Sequence, residues 1–309
     1  MSCTHGRTRQ IEDRVDEYSE KLLELILSRG NELPRTYGFE YEFLPARILQ
    51  PGDMEKLRGF LREKGYVFRE GMFVKDEKRV VFEPGGQIEY LSPPLLASET
   101  GRLQSVLDWI RNTNHLIELE TGIRYIGTDY VHGRYDAPLL LTSKRYWKMH
   151  ERFKRVDERG PDMMKGTAAI HLHAAVTSSE DFLKLYKLFT RLACSDEFGM
   201  SSERRQIWDQ TDSCRCGLPR PGKTVTAESI ARCIVECAMK AEELNSGKPF
   251  QDIPDTGFQS FLDHLTTMFT DVRVNVKGGT LELRTLDSRP IEEFEGTWNR
   301  FLEECETVV

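Results

Sequence analysis

Four segments of the chain carry two polar side chains separated by one apolar residue. The pairs are Glu40 and Glu42, Gln87 and Glu89, His171 and His173, and Glu282 and Arg284. In a β-strand each pair would lie on one face, because side chains alternate between the two faces. Carboxylates gathered on one surface repel each other, and hard divalent cations such as Mg²⁺ relieve that repulsion while bridging to substrate phosphates. The pattern therefore predicts metal-dependent phosphate chemistry.

Glu83 and Glu89 flank a Pro-Gly-Gly turn in the stretch FEPGGQIEYLSPPL, residues 82–95. The flanking segments are apolar enough to be buried, and a buried carboxylate costs several kcal/mol unless it is paired or binds a metal. A solvated turn carrying two surface charges is the alternative interpretation of this stretch taken alone.

The elements that must position these groups follow from hydrophobic periodicity. Alternation predicts strands at 36–43, within 67–82, and at 87–91, 123–130 and 164–176, with a hairpin at 272–286 around Gly278 and Gly279. Helical spacing predicts helices at 11–28, with Gly30 as its C-cap, and at 53–64, 99–120, 143–156, 181–193, 226–244 and 257–266. Hairpins and helices mix without a regular βαβ order. The fold class is therefore α+β, with a largely antiparallel sheet flanked by helices.

Composition limits the classes of partner. The chain has 309 residues, 39% of them hydrophobic, and a net charge of -7, which disfavours nucleic acid as a partner. No apolar run of about 18 residues and no apolar signal core is seen, so we expect a cytoplasmic protein without a membrane anchor.

The cysteines pose a separate question, because their number is seven and odd. Scattered through a chain of this length, they indicate reduced thiols more than a disulfide framework. A zinc site at Cys214, Cys216, Cys233 and Cys237 is an alternative, which the C-R-C spacing and the amphipathic pattern of ARCIVECAMKAEEL disfavour.

Several stretches occur together in one order: YGFEYEF, EPGGQIEYLSPPL, DMMKGTAAIHLHAAV, SSERRQIWDQTDSCRCGLP and HLTTMFTDVRVNVKGGTLELRTLDSRP. In these stretches, which span about residues 36–289, the chain resembles the glutamate-cysteine ligase family of the plant and proteobacterial type. The resemblance implies a catalytic domain related to that of glutamine synthetase, covering 36–309 after a helical extension at 1–35. Its bent antiparallel sheet would form a funnel with ATP at one end and the amino acid at the other. The reaction implied is ATP-dependent ligation through a γ-glutamyl phosphate, with L-cysteine as the default acceptor.

The resemblance also implies roles for individual residues. About two or three Mg²⁺ ions, with Mn²⁺ as a substitute, would be shared by the metal ligands Glu40, Glu42, Glu83, Glu89, His171 and Glu282. Arg284 and Glu42 would be catalytic, the arginine stabilising charge on the transferred phosphoryl group. Substrate and ATP would contact Arg204, Arg215, His173, Gln87, Tyr146 and Lys165. The glycines after Pro84 would let the backbone approach a ligand closely, since glycine has no Cβ. Only small-molecule partners are implied, and a homo-oligomer is compatible with them.

The chain departs from that family in ways that leave alternatives open. It is shorter than the plant enzymes, and His171 and His173 stand where those enzymes have amide side chains. The acceptor could be another amino acid or an amine, and a catalytically silent nucleotide-binding homologue is a further alternative. A hydrolase or oxygenase built on the His-x-His pair is less favoured, because Glu180 follows HLHAAVTSS at a spacing longer than cupin sites use.

Overall fold

The computed structural model describes residues 2–29, 33–254 and 256–308, so the predicted C-cap Gly30 lies outside the described residues. Within these ranges there are twelve strands: β1 (Thr36–Pro45), β2 (Val67–Arg69), β3 (Met72–Lys75), β4 (Lys78–Phe82), β5 (Ile88–Leu91), β6 (Leu95–Leu96), β7 (Tyr125–Ile126), β8 (Ile170–Ala175), β9 (Cys216–Gly217), β10 (Phe269–Thr270), β11 (Val272–Asn275) and β12 (Thr280–Leu283). Ten of them form one sheet. Eight of these follow the order β11-β12-β8-β1-β5-β4-β3-β2, and the other two, β6 and β7, each pair with β1. Every pair in that sheet is antiparallel, and β9 with β10 forms a separate parallel pair.

Ten α-helices of the described chain surround the sheet: α1 (Ser2–Ser28), α2 (Pro51–Glu63), α3 (Thr100–Thr121), α4 (Lys144–Val156), α5 (Gly160–Lys165), α6 (Ser179–Leu192), α7 (Ser202–Thr211), α8 (Ala227–Lys240), α9 (Phe258–Leu265) and α10 (Phe294–Glu306). Helices and a largely antiparallel sheet are what the α+β prediction requires. The prediction of a strand over 164–176 was wrong at its start, because α5 runs to Lys165 and β8 begins at Ile170. Helices α7 and α10 were not predicted.

Strand β1 is central, and its alternation decides which side of the sheet is polar. Tyr37, Phe39, Tyr41 and Phe43 are buried on one face. The Tyr41 ring stacks on Phe43 with centroids 4.5 Å apart, and Phe39 meets Phe294 of α10 edge to face at 4.8 Å. Burying these rings against helices fixes the register, because a slip of one residue would put them on the polar face.

Helix α1 packs into the same core as the sheet. Leu22 and Ile26 have no exposed surface and belong to the main hydrophobic cluster, and the hydroxyl of Tyr18 donates to the Thr256 carbonyl at 2.5 Å. Helix α1 therefore shares its hydrophobic core with the rest of the described chain. The predicted boundary between an extension at 1–35 and a catalytic domain at 36–309 stays a prediction.

A second, smaller hydrophobic cluster lies under α4, α5 and α7. Its buried members are Tyr130, Met149, Phe153, Met163, Met164 and Ile207. Side chains of this cluster and polar side chains of the sheet line one cavity, so the site lies between the polar face of the sheet and this cluster.

Candidate active site

The registers of three strand pairs bring the predicted polar residues side by side. Their Cα partners are Glu42 with Glu89, Glu40 with His171, and Glu282 with His173. The intervening residues Tyr41, Ile88, Leu172 and Leu283 have no exposed surface. The prediction that these strands present one shared polar face is confirmed by this geometry.

These side chains open into a cavity of about 290 Å³. Of the predicted site residues, its lining includes Glu40, Glu42, Glu83, Gln87, Glu89, Tyr146, His171 and Arg284. The opposite wall is largely apolar, with Met149, Phe153 and Trp208 among its residues. The cavity therefore combines a carboxylate floor with an apolar wall, a common arrangement for small-molecule sites.

The two histidines contact Glu40 from neighbouring positions. His171 Nδ1 lies 2.8 Å from Glu40 Oε2, and His173 Nε2 lies 3.6 Å from Glu40 Oε1. Burial raises the pKa of Glu40, but the hydrogen bond from His171 and the charge of His173 outweigh it, so the pKa is well below the ordinary value. Burial and the positive charge of Arg284 lower the pKa of His171. A neutral imidazole that donates from Nδ1 to Glu40 keeps a lone pair on Nε2, which lies 3.8 Å from Glu42.

The pKa values of Glu83 and Glu89 are raised, whereas the pKa of Glu40 is lowered. Burial, followed by the charges of Glu42 and Glu40, raises the pKa of Glu83 to about 8. Burial and the charges of Glu40, Glu83 and Glu42 raise the pKa of Glu89 well above its ordinary value. The protein's own cations therefore leave this part of the cluster with unrelieved repulsion.

The donor set fits a divalent cation. Two groups, Glu40 with Glu89 and His171, and Glu40 with His173 and Glu282, each have candidate ligand atoms within 4.8 Å of one another. His173 Nε2 is buried and has no hydrogen-bond partner in the part of the chain that the structure describes. Carboxylate oxygens with an imidazole suit Mg²⁺ or Mn²⁺. A cation at the first group would relieve the repulsion on Glu89, and a cation at the second group would give His173 Nε2 a partner.

Glu282 is already engaged by two arginines. Arg273 donates from Nε and Nη2 to its two oxygens at 2.6 and 3.0 Å, and Arg284 donates from Nη1 at 3.0 Å. Burial raises the pKa of Glu282, but the charge of Arg273 outweighs it and brings the pKa to about 2. The predicted metal ligand thus also anchors the predicted catalytic arginine at the cavity wall.

The glycines of the Pro-Gly-Gly turn pack against other protein atoms and not against an open ligand site. A Cβ on Gly85 would lie 2.5 Å from the Lys165 Cα, and one on Gly86 would lie 2.9 Å from the side chains of Leu140 and Leu49. The expectation that these glycines make room for a ligand was therefore wrong, because protein atoms fill that space. Gln87 stabilises the same turn: its Oε1 accepts from the Gly85 N–H at 2.9 Å.

The amide nitrogen of Gln87 donates to the carbonyls of Met164 and Thr167 at 3.0 and 3.1 Å. Lys165 donates to the carbonyls of Tyr135 and Ala137 and is buried. The donor nitrogens of both side chains are hydrogen-bonded to backbone carbonyls. A role of Gln87 and Lys165 in binding ATP or substrate stays a prediction.

Both predicted substrate arginines, Arg204 and Arg215, lie away from the cavity lining. Arg204 has no exposed surface and donates to Asp287 and to the Arg284 carbonyl, the latter at 2.9 Å. Arg215 is also buried and donates to Asp212 at 3.1 Å and to the Thr267 carbonyl at 3.2 Å. Both sets of contacts are structural, and a role in binding substrate stays a prediction for both arginines.

Arg145 and Arg273 line the cavity and were not predicted. Arg273 could have been found from the hairpin at 272–286, since it is the residue of β11 opposite Glu282. Arg145 lies in the first turn of α4, and the sequence of that helix shows only a basic amphipathic pattern.

The cysteines do not form a metal site among the described residues. Both candidate metal groups there consist of glutamates and histidines alone. Cys214 is exposed, and Cys216 and Cys233 are partly buried free thiols. Across the described residues, no helix combines the length and apolar character that a membrane crossing needs.

Comparison with known proteins finds a relative among the ligases. No protein-family model matches the chain. In an alignment 252 residues long that covers 69% of this chain, it is 25% identical to the glutamate-cysteine ligase EgtA of Mycolicibacterium smegmatis, of which it spans 56%. The chain is therefore a weak homologue of a glutamate-cysteine ligase. A solved structure described as a novel glutamine synthase homologue aligns with 71% of this chain and 57% of its own, at 11% identity and a TM-score of 0.30. That overlap is too weak to support a shared fold.

Proposed function

We propose that the chain is an ATP-dependent carboxylate-amine ligase that joins the γ-carboxylate of glutamate to an amine, with L-cysteine as the default acceptor. The observation that carries the proposal is the cavity in which Glu40, Glu42, Glu83, Glu89, His171 and Arg284 face one space. The weak homology to a glutamate-cysteine ligase supports the same reaction class.

The proposal extends to the finer predictions about the chain. It includes a glutamine synthetase-like arrangement of the sheet, ATP as co-substrate, and one catalytic domain over residues 36–309. A cytoplasmic location and small-molecule partners belong to it as well.

The cluster of acidic residues has a defined task in this reaction. The predicted metal ligands Glu40, Glu42, Glu83, Glu89, His171 and Glu282 are the residues that would hold Mg²⁺ or Mn²⁺. The bound cation would neutralise phosphate charge. Phosphoryl transfer needs positioning and charge stabilisation more than a protein nucleophile. A cavity lined by carboxylates and arginines can supply both.

The proposed reaction has two steps, phosphorylation of glutamate and then formation of the amide. A γ-carboxylate oxygen of glutamate attacks the γ-phosphorus of ATP, the bond from that phosphorus to the β-bridging oxygen breaks, and ADP leaves. The amine nitrogen then attacks the γ-carbonyl carbon of the glutamyl phosphate, the carbon–oxygen bond breaks, and inorganic phosphate leaves as the amine proton passes to a carboxylate of the cavity. Arg284 lines the cavity and is oriented by Glu282, so its guanidinium can receive the charge that develops on the phosphoryl oxygens.

The experiment measures ADP release from ATP, Mg²⁺ and L-glutamate, screened over the proteinogenic amino acids and common biogenic amines, with mass spectrometry of the product. We expect release that depends on both glutamate and amine, and a product whose mass equals their sum less one water. Glu42→Gln and Glu89→Gln should abolish it while the protein stays folded, because an amide keeps the shape but loses the charge that holds a metal. Glu63→Gln, at an exposed position of α2, is the control.

Unchanged turnover in both cavity variants would remove the metal-site assignment. Tightly bound zinc or iron in the purified protein, with no ADP release, would favour a metal hydrolase or oxygenase instead. ATP binding without turnover across the whole screen would favour the silent homologue.

A further inference from the structure

The apolar wall of the candidate active site has no task in either of the proposed chemical steps. Its residues come from α4, α5, α7 and β10, and they are Met149, Phe153, Met163, Met164, Trp208 and Phe269. Four of them are almost fully buried, whereas Trp208 and Phe269 are half-buried. Tyr146 is also half-buried and lines the cavity from the first turn of α4. Tyr146, Trp208 and Phe269 therefore form an aromatic surface that a bound molecule can contact.

The Trp208 ring is held in place by two contacts. Its Nε1 donates to the Phe269 carbonyl at 3.3 Å. The Arg204 guanidinium lies over the ring, with its central carbon 5.5 Å from the ring centroid, a distance at which a cation is attracted to an indole. Because the only polar atom of the ring is already hydrogen-bonded, Trp208 offers a ligand an apolar surface alone.

The aromatic surface and the carboxylates line the same cavity, so a molecule between them meets two different environments. A protonated amine is attracted by the carboxylates of Glu40 and Glu42, and an apolar group gains free energy when it leaves water for the aromatic surface. The cavity thus orients an amphipathic amine with its nitrogen toward the glutamate cluster, where the glutamyl phosphate would form.

The purine of ATP is the other group that could lie on these rings. A base is recognised by hydrogen bonds at its edge as well as by stacking. The methionine and phenylalanine side chains of the wall and the bonded Trp208 indole offer no free N–H or O–H to that edge. The chemistry of the wall therefore favours an apolar group over a purine.

We propose that Tyr146, Trp208 and Phe269 bind the side chain of the acceptor, and that the acceptor is an amine with an apolar group larger than the side chain of cysteine. The inference rests on the proposed ligase function and names the part of the acceptor that sets its selectivity. The free energy gained on burial grows with the apolar area removed from water, so a larger apolar group binds more tightly. This surface requires no carboxylate on the acceptor, and simple amines bind to it as amino acids do.

The test measures equilibrium binding by calorimetry, with the full chain, Mg²⁺, L-glutamate and a non-hydrolysable ATP analogue. Two matched pairs are compared, ethylamine with phenethylamine and L-alanine with L-phenylalanine, whose members differ only in a phenyl group. We expect the phenyl member of each pair to bind at least about tenfold more tightly, the usual effect of burying an aromatic side chain. L-cysteine should bind more weakly than L-phenylalanine.

Two variants locate the surface that produces this preference. Trp208→Ala and Phe269→Ala should each remove most of it while the affinity for L-glutamate stays at the wild-type value, which shows that the variant is folded. Trp147→Ala changes an exposed tryptophan of the same helix as Tyr146 and should keep the preference.

Equal affinities within both pairs in the wild type, or no binding by any of the four amines, would overturn the proposal without recourse to a variant. So would a phenyl preference that survives in both alanine variants while their affinity for the ATP analogue falls, since the rings would then bind the adenine. Because the assay needs no turnover, its result is independent of ADP release. A chain that prefers the phenyl amines but releases no ADP contradicts the ligase activity alone. Amine-dependent ADP release without the phenyl preference contradicts the acceptor assignment alone.

Discussion

Arg273 donates to both oxygens of the Glu282 carboxylate, at 2.6 and 3.0 Å. Glu282 has no exposed side-chain surface, whereas that of Arg273 is 23% exposed. Arg284 shares one of the same oxygens at 3.0 Å. One buried carboxylate therefore holds two guanidinium groups against the cavity.

Removing this charge should destabilise the protein strongly. Glu282→Gln leaves two arginines without their anion, and breaking a buried pair from one side commonly costs about 3 kcal/mol or more. We expect urea denaturation with EDTA present to show a loss of that order. Glu304→Gln, which breaks the exposed pair with Arg191, should cost less than about 1 kcal/mol. Equal small losses in both variants would contradict a structural role for the Glu282 charge.

The pKa of Glu83 predicts a pH-dependent stability for the metal-free protein. Because the folded pKa of about 8 lies above the ordinary value of 4.5, the folded state binds more protons than the unfolded state between these values. The contribution of Glu83 to stability is thus fully present below pH 4.5 and is lost as the pH rises through 8. Its slope is at most about 1.4 kcal/mol per pH unit.

Denaturation midpoints measured in EDTA from pH 5 to pH 8 check this dependence. Glu83→Gln should flatten the decline, and Glu63→Gln, at an exposed position of α2, should leave it unchanged. A Glu83→Gln variant with the wild-type slope would show that Glu83 ionises normally.

The turn between β4 and β5 gives a steric prediction. Gly85→Ala places a Cβ 2.5 Å from the Lys165 Cα and 2.6 Å from its carbonyl oxygen, and backbone atoms cannot rotate away. We expect a loss of about 1 to 3 kcal/mol on unfolding. ADP release should fall as well, since Glu83 and Gln87 flank this residue.

Gly52→Ala is the matched control, because this residue belongs to α2 and a Cβ added to it would meet no atom of the described chain within 4 Å. That change should be neutral or stabilising by up to about 1 kcal/mol. If both alanines behave alike in thermal unfolding, the close approach at Gly85 is not a constraint.

Periodicity was sufficient to predict which strands present polar side chains to one side. Glu40 and Glu42 alternate with rings that have to be buried, so the face of β1 follows from the sequence alone. Helix α10 could also have been predicted, since Phe294, Trp298, Phe301 and Cys305 recur at helical spacing. Helix α7 gave little such signal, because its buried residues are Arg204, Ile207 and Thr211.

The distant partners of the buried arginines could not be predicted from local sequence. Arg204 bonds Asp287, and Arg215 bonds the carbonyl of Thr267, contacts between residues far apart in the chain. Only the assembled fold shows that these guanidiniums are enclosed while Arg145 lines the cavity. Sequence alone thus located the carboxylate face and left the assignment of the arginines open.

Arg284 gives a prediction about the chemical step. Its side chain is 11% exposed, lines the cavity, and is oriented by Glu282. If it stabilises charge that develops only as the γ-phosphoryl group moves, Arg284→Lys should lower kcat by about 10²-fold or more and change ATP affinity little. A purely structural role would instead lower ATP affinity and the free energy of unfolding together. Arg300→Lys, in an exposed pair with Glu197, is the control.

If the reaction passes through an acyl phosphate, a second measurement can compare the wild type with Arg284→Lys. A sulfoximine or phosphinate mimic of glutamate should be phosphorylated by the wild type and then bind tightly, because it copies the state that follows phosphoryl transfer. Arg284→Lys should phosphorylate the mimic slowly and be inhibited weakly, which can be followed from ATP consumption and residual activity. Wild-type kcat in the lysine variant would rule out the role assigned to Arg284. Failure of every mimic to inhibit the wild type would count against the glutamyl phosphate route, since a site built for that intermediate should bind its analogues more tightly than glutamate itself.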